Sequence, residues 1–211
     1  MKIAKYELLP EAELLARLKK TRLRGFERAE VYRDATLAIG EQIDTNQLTP
    51  AQRYVLADGV QTILDVADAF APLGVDVFAL RGALLFWPEG SDLNEAPIPL
   101  LPPMIEESVE ADGRKVLLIN DGIHRVYAAR KRGRGLNVVI ARNVPLEYPY
   151  YAYALEDGWT QVEELQELTE GYQKKAYRNP ENYKALFRDF NEIFDGIQKQ
   201  RPRTNPEHLK A

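Results

Sequence analysis

The chain has no cysteine and only two histidines, two methionines and two tryptophans among 211 residues. Without a thiol there is no disulfide framework, no cysteine-ligated zinc centre and no thiolate nucleophile. No run of about 18 apolar residues exists to span a membrane, and Met1-Lys2-Ile3-Ala4-Lys5-Tyr6-Glu7 lacks the apolar stretch of a secretory signal. A cytoplasmic location with no membrane partner is therefore expected. Positive charge is also in short supply. The formal net charge is -4 and the pI is near 5.4, a poor balance for general nucleic-acid binding, which needs clustered Lys and Arg to neutralise phosphates. Nucleic acid stays a less favoured partner.

What is present is enough apolar material for a core. At 45% hydrophobic and this length, the chain reads as a single domain, 1–211, of α/β class, with α+β as the alternative. The chemistry concentrates at one junction, Leu117-Leu118-Ile119-Asn120-Asp121-Gly122-Ile123-His124-Arg125-Val126-Tyr127-Ala128-Ala129-Arg130. Val116 to Ile119 is a short apolar run, whereas Ile123, Val126, Tyr127 and Arg130 recur at helical spacing, so a strand passes into a helix through Asp121-Gly122. Gly122 frees the backbone for a tight turn, and Asp121 is placed to accept hydrogen bonds from the first amides of the helix. Those amides, with His124 and Arg125 in the first turn, suit a phosphate or carboxylate. Ordinary helix capping, with Arg125 paired to a surface carboxylate, explains the same residues. Asp121 repels a bare anion unless it caps, pairs with Arg125, or holds a bridging cation.

Asp121-Gly122-Ile123-His124-Arg125-Val126-Tyr127-Ala128-Ala129 resembles the signature turn of the ParB/sulfiredoxin superfamily, and is similar to the Asp-Gly-Gln-His-Arg element of ParB-like proteins in DNA-modification systems and the Asp-Gly-His-His-Arg element of free-serine kinases. The resemblance spans about Val116 to Val144. It implies a ParB/sulfiredoxin-like mixed sheet with flanking helices over residues 73–145, and phosphates of a nucleotide (ATP, ADP or CTP) held by Gly122, Ile123, His124 and Arg125; beside them Asp121 or Glu106 is placed to hold magnesium. Sulfiredoxins place a reactive cysteine where this chain has Ile123, so thiol-based reduction of a sulfinic acid is excluded. No helix-turn-helix pattern follows Val144.

Along the chain, Ile3 to Leu9 reads as a strand and Pro10-Glu11 opens a helix carrying Leu14, Leu15 and Leu18. Phe26 to Ile39 and Pro50 to Phe70 show helical periodicity, so residues 10–70 are expected as a helical cap. Leu73 to Leu80 and Leu84 to Trp87 read as strands, and Pro88 to Asn94 as a loop. Ala96 to Glu107 holds four prolines in twelve residues, which predicts an extended path without a regular ladder. Glu106 and Glu107 follow; either they are exposed acids of a short helix from Ile105 to Glu110, or Glu106 faces the nucleotide as a general base. Leu136 to Ile140 is a strand.

Residues 146–200 form an aromatic segment and a packing helix. Seven of the 11 tyrosines lie between Tyr148 and Tyr183; they are core and interface packing, or Tyr151 and Trp159 build a wall for a small-molecule substrate. Tyr183, Leu186, Phe187, Phe190, Ile193, Phe194 and Ile197 predict a helix from Asn182 to about Lys199 that packs on the body or on a second copy, giving a homodimer. Arg201 to Ala211 reads as a mobile tail.

Three functions fit these residues. The first is a nucleotide-dependent phosphotransferase or nucleotide hydrolase in which Glu106, Asp121 and His124 are catalytic. The second is a nucleotide-gated or DNA-associated regulatory module. The third is a metal-dependent ParB-like nuclease, against which the overall negative charge argues.

Overall fold

The computed structural model describes residues 1–194. In chain order these form β1 (Ile3–Leu9), α1 (Glu11–Leu18), β2 (Arg22–Leu23), β3 (Thr36–Ile43), β4 (Leu48–Thr49), β5 (Tyr54–Leu56), α2 (Ala57–Phe70), β6 (Ala83–Pro88), β7 (Ile98–Leu100), β8 (Met104–Val109), β9 (Lys115–Asp121), α3 (Ile123–Lys131), β10 (Leu136–Arg142), β11 (Glu163–Leu165) and β12 (Arg188–Asp189). The class is mixed α/β.

A five-stranded sheet in the order β3-β10-β8-β9-β4 carries the β9–α3 junction. In it β8 and β9 form an antiparallel hairpin, β10 runs parallel to β8 and antiparallel to β3, and β4 runs parallel to β9. An antiparallel sheet β1-β6-β7 lies beside it, and two short pairs, β5 with β11 and β2 with β12, tie in the later segments. The two-residue period of a strand explains why β6 and β10 are almost uniformly apolar. Leu84, Phe86, Val138 and Ile140 point into one core with Phe70 of α2 and Val126, Ala128 and Ala129 of α3. Ala83, Leu85, Val139 and Ala141 point into a second core with Leu14 and Leu18 of α1. The alanines of α3 let that helix lie close to the sheet.

The expected strand at 3–9, the helix after Pro10, the strand at 84–87 and the strand, turn, helix and strand from Val116 to Ile140 are all present. Several other expectations are corrected. Phe26 to Ile39 is not a helix: Phe26, Glu27 and Arg28 take positive φ in a tight turn, and β3 follows, paired along β10. The three- and four-residue intervals across that stretch do not continue into β3, where Leu37 and Ile39 alternate as strand residues and reach the second core. Of Pro50 to Phe70 only α2 is helical, because Tyr54 to Leu56 pairs with β11. Leu73 to Leu80 is a turn and loop, reversed at Gly74 with φ 73°. The proline-rich segment does join a ladder. Pro99 sits in β7, at the edge of its sheet, where a missing N–H is tolerated. Ile105 to Glu110 is no helix but most of β8. The aromatic stripe of the last expected helix instead forms short turns around β12, at Tyr183–Leu186 and Phe190–Glu192, because Arg188 is drawn into the interior. The end of that expected helix, with any dimer contact it makes, and the tail from Arg201 to Ala211 lie outside the described residues.

No helix among the described residues is long and apolar enough to cross a membrane.

Candidate functional site

The junction is built by β9 ending at Asp121, a left-handed residue, Gly122 (φ 90°, ψ 25°), and α3 beginning at Ile123. The carbonyl of Gly122 accepts from the amides of Arg125 (2.9 Å) and Val126 (3.1 Å), which starts the helix. The amides just before these have no intrahelical partner, as at any helix start, and carry the positive end of the dipole. Oδ2 of Asp121 accepts from Nη2 of Arg125 at 2.6 Å, one helical turn away, which is the pairing the sequence allowed.

Arg125 folds back over the turn. Its side chain is 13% exposed, and Nη1 donates to the carbonyl of Leu101. A Cβ on Gly122 would lie 2.6 Å from Nη2, so glycine is needed here for its backbone angle and for the guanidinium packed against it. Burial pulls the Arg125 pKa down and the attraction of Asp121 opposes it.

His124 points elsewhere. Its Nε2 accepts from the amide of Leu56 at 3.1 Å, at the start of α2, and its ring lies against Gly59. Burial and then the neighbouring Arg125 charge lower its pKa from 6.5, with Asp121 acting the other way. Ile123 packs on the first core. The turn thus brings Asp121, Gly122 and Arg125 together and turns His124 towards α2.

Glu106 is not an exposed acid of a short helix. It lies in β8, 2% exposed. Its Oε1 accepts from Nε of Arg188 at 2.9 Å, from the Tyr32 hydroxyl and from Nδ2 of Asn120, and its Oε2 accepts from Nη2 of Arg188 at 3.0 Å. Arg188 spends its remaining donors on the carbonyls of Leu186 (2.6 Å), Pro149 (3.1 Å) and Tyr148 (2.8 Å). Burial opposes the charge of Arg188, but Glu106 outweighs it and the pKa is raised; burial and then Glu106 raise that of Tyr32.

Beside this network a cavity of about 80 Å³ is bounded by Arg24, Asn120, Asp121, Tyr151, Phe187 and Arg188, with Asp189 and Phe190. Tyr151 therefore reaches the junction. Trp159 does not share that wall: its indole N–H donates to the Thr45 carbonyl at 2.9 Å, with Tyr127 at 6.1 Å and the Arg130 guanidinium at 5.4 Å. Tyr151 belongs instead to a cluster with Tyr150, Tyr177, Tyr183 and Phe187, and Lys175 donates to the hydroxyls of Tyr150 and Tyr151.

Four basic residues around α3 are matched with acids, Lys131 with Glu164, Arg132 with Asp68, Arg134 with Asp76, and Arg142 with Glu107, while Arg130 donates to Asn46. Such pairing reduces the field these four offer to a polyanion. Among the described residues no group of three His, Cys, Asp or Glu is placed to hold a metal ion.

Sequence reasoning missed Tyr32, Asn120, Arg188 and Gly59. Arg188 had a readable signal, a cation inside the apolar run Leu186-Phe187-Arg188-Asp189-Phe190, and Asn120 sits next to the motif. Tyr32 and Gly59 had none, because only the fold carries them to the junction.

A family model described as ParB CE domain matches residues 13–163. No curated protein matches the chain.

Proposed function

The chain belongs to the ParB CE domain family, and on that premise we propose that it is a nucleotide-binding domain that takes the phosphates of ATP, ADP or CTP at the β9–α3 turn. The observation that carries this reading is the left-handed Gly122 opening a nine-residue helix, with Arg125 held against it. A left-handed glycine at a helix start lets an anion approach free amides closely. Arg125 is paired with Asp121, so an arriving phosphate competes with a carboxylate for a guanidinium that suits either. The Asp121 carboxylate then lies beside the bound phosphates, where it can activate a hydroxyl or water. That is the enzymatic form of the reading, a phosphotransferase or nucleotide hydrolase.

One observation favours the second form, a nucleotide sensor that does not consume its ligand. Glu106, the other candidate base, has both carboxylate oxygens engaged by Arg188. The nuclease reading has no support of this kind.

Thermal unfolding with ATP, ADP, CTP and GTP tests binding, because a ligand at 100 times its Kd adds about 2.7 kcal/mol to stability. Wild type is expected to shift with at least one nucleotide. Arg125→Lys keeps a charge for Asp121 but loses the planar fork and is expected to shift less. No shift of wild type with any nucleotide overturns the proposal. Release of inorganic phosphate then separates the enzyme from the sensor.

A further inference from the structure

The hydrogen bond from Leu56 to His124 constrains the chemistry of that side chain. A backbone N–H needs a lone pair to donate into, and it donates to Nε2 at 3.1 Å. Nε2 is therefore unprotonated, and a neutral imidazole in that state carries its proton on Nδ1. Burial and the Arg125 charge hold the ring neutral. Gly59 tightens the arrangement. A Cβ at that position would lie 2.8 Å from Cδ2 and 2.9 Å from Nε2, so the first turn of α2 is shaped to admit the Nε2 edge of this ring and nothing larger than glycine leaves it there.

We propose that the first turn of α2, through the Leu56 amide and Gly59, locks His124 as the Nδ1–H tautomer, making it a neutral hydrogen-bond donor to a phosphate oxygen and neither a general base nor a general acid. Gly59 and Leu56 are the positioning residues. The atom that would take a proton from a hydroxyl or water is covered by α2, and the nitrogen left for a ligand has a proton to offer. The inference rests on the nucleotide reading for the identity of the acceptor but not for the tautomer. It also ties occupancy of the turn to α2, since a ligand that pulls His124 must draw on the Leu56 contact.

The test is a long-range ¹H–¹⁵N spectrum of the histidine rings in the full chain at pH 7.5 without nucleotide. With two histidines in the sequence, His208→Gln leaves His124 alone in the spectrum. The expected result is a protonated Nδ1 and a lone-pair Nε2; a protonated Nε2, or a ring averaging between tautomers, overturns the proposal. In Gly59→Ala the ring is expected to leave its seat, the tautomers to average, and nucleotide affinity to fall about 10- to 100-fold through loss of one hydrogen bond to a charged group. A Gly59→Ala spectrum and affinity identical to wild type also overturn it. The wild-type spectrum decides the tautomer even where Gly59→Ala fails to fold. Failure of wild type to bind any nucleotide sinks the phosphate reading while leaving the tautomer result standing.

Discussion

Glu106→Gln separates a structural carboxylate from a catalytic one. The substitution keeps shape and most hydrogen-bonding capacity but removes the charge opposite Arg188, whose side chain is fully buried beside a carboxylate that is 3% exposed. Arg188 then remains as a buried cation without a counter-charge, a change that costs about 3–5 kcal/mol. For a domain of this length that corresponds to a fall in Tm of about 6–20 °C. The full cost is expected because the carbonyls of Leu186, Pro149 and Tyr148 supply dipoles but no charge. Urea denaturation followed by circular dichroism measures it, with the double variant Glu106→Leu, Arg188→Met as control. Replacing both partners by apolar groups is expected to recover much of the loss, since it removes the desolvated charge altogether. A Glu106→Gln protein that loses under about 1 kcal/mol, yet loses turnover, refutes the structural assignment and returns Glu106 to the role of base.

Three other outcomes follow from the geometry. Gly122→Ala is expected to cost at least about 1–2 kcal/mol from left-handed backbone alone, and more as the new Cβ displaces Arg125; a loss below that in a denaturation curve contradicts the packing described. The His124 pKa is lowered in the folded chain, so its neutral form is favoured by folding. Its contribution is complete above the unfolded value of 6.5 and is lost as pH falls from 6.5 towards the lower folded value. Wild type is thus expected to weaken between pH 7.5 and 5 by more than His124→Gln does, and equal losses refute the assignment. Trp159→Phe is expected to leave nucleotide affinity within about twofold, since the indole packs on Tyr127 and donates to Thr45 and is not part of the cavity wall that holds Tyr151; a loss of about tenfold or more in titration calorimetry places Trp159 in the ligand pocket after all.

The strand, turn and helix from Val116 to Lys131 were legible because the hydrophobic period changes from two to 3.6 at a glycine. Segments decided by distant partners were not. Phe26 to Ile39 has apolar residues at helical intervals but its last four residues pair with β10, and Tyr54 to Leu56 has helical neighbours but pairs with β11, so tertiary contacts override local preference. Pro99 argued against a ladder and was accommodated at a sheet edge. The residue types of the junction were read from the motif, whereas their directions were not. Asp121 was expected to cap the helix, pair with Arg125 or hold a cation, and it pairs with Arg125. His124 was expected beside Arg125 and faces α2. Glu106 was singled out by its place in the chain, and only the arrival of Arg188, 82 residues later, shows what occupies it.

Hydrogen exchange of the peptide covering Ile119 to Tyr127, with and without saturating nucleotide, tests the placement of the phosphate site most directly. The account predicts slower exchange of the amides following Gly122 when nucleotide is bound, with a smaller change at Leu56. Nucleotide binding that leaves these amides unchanged while protecting another segment contradicts it.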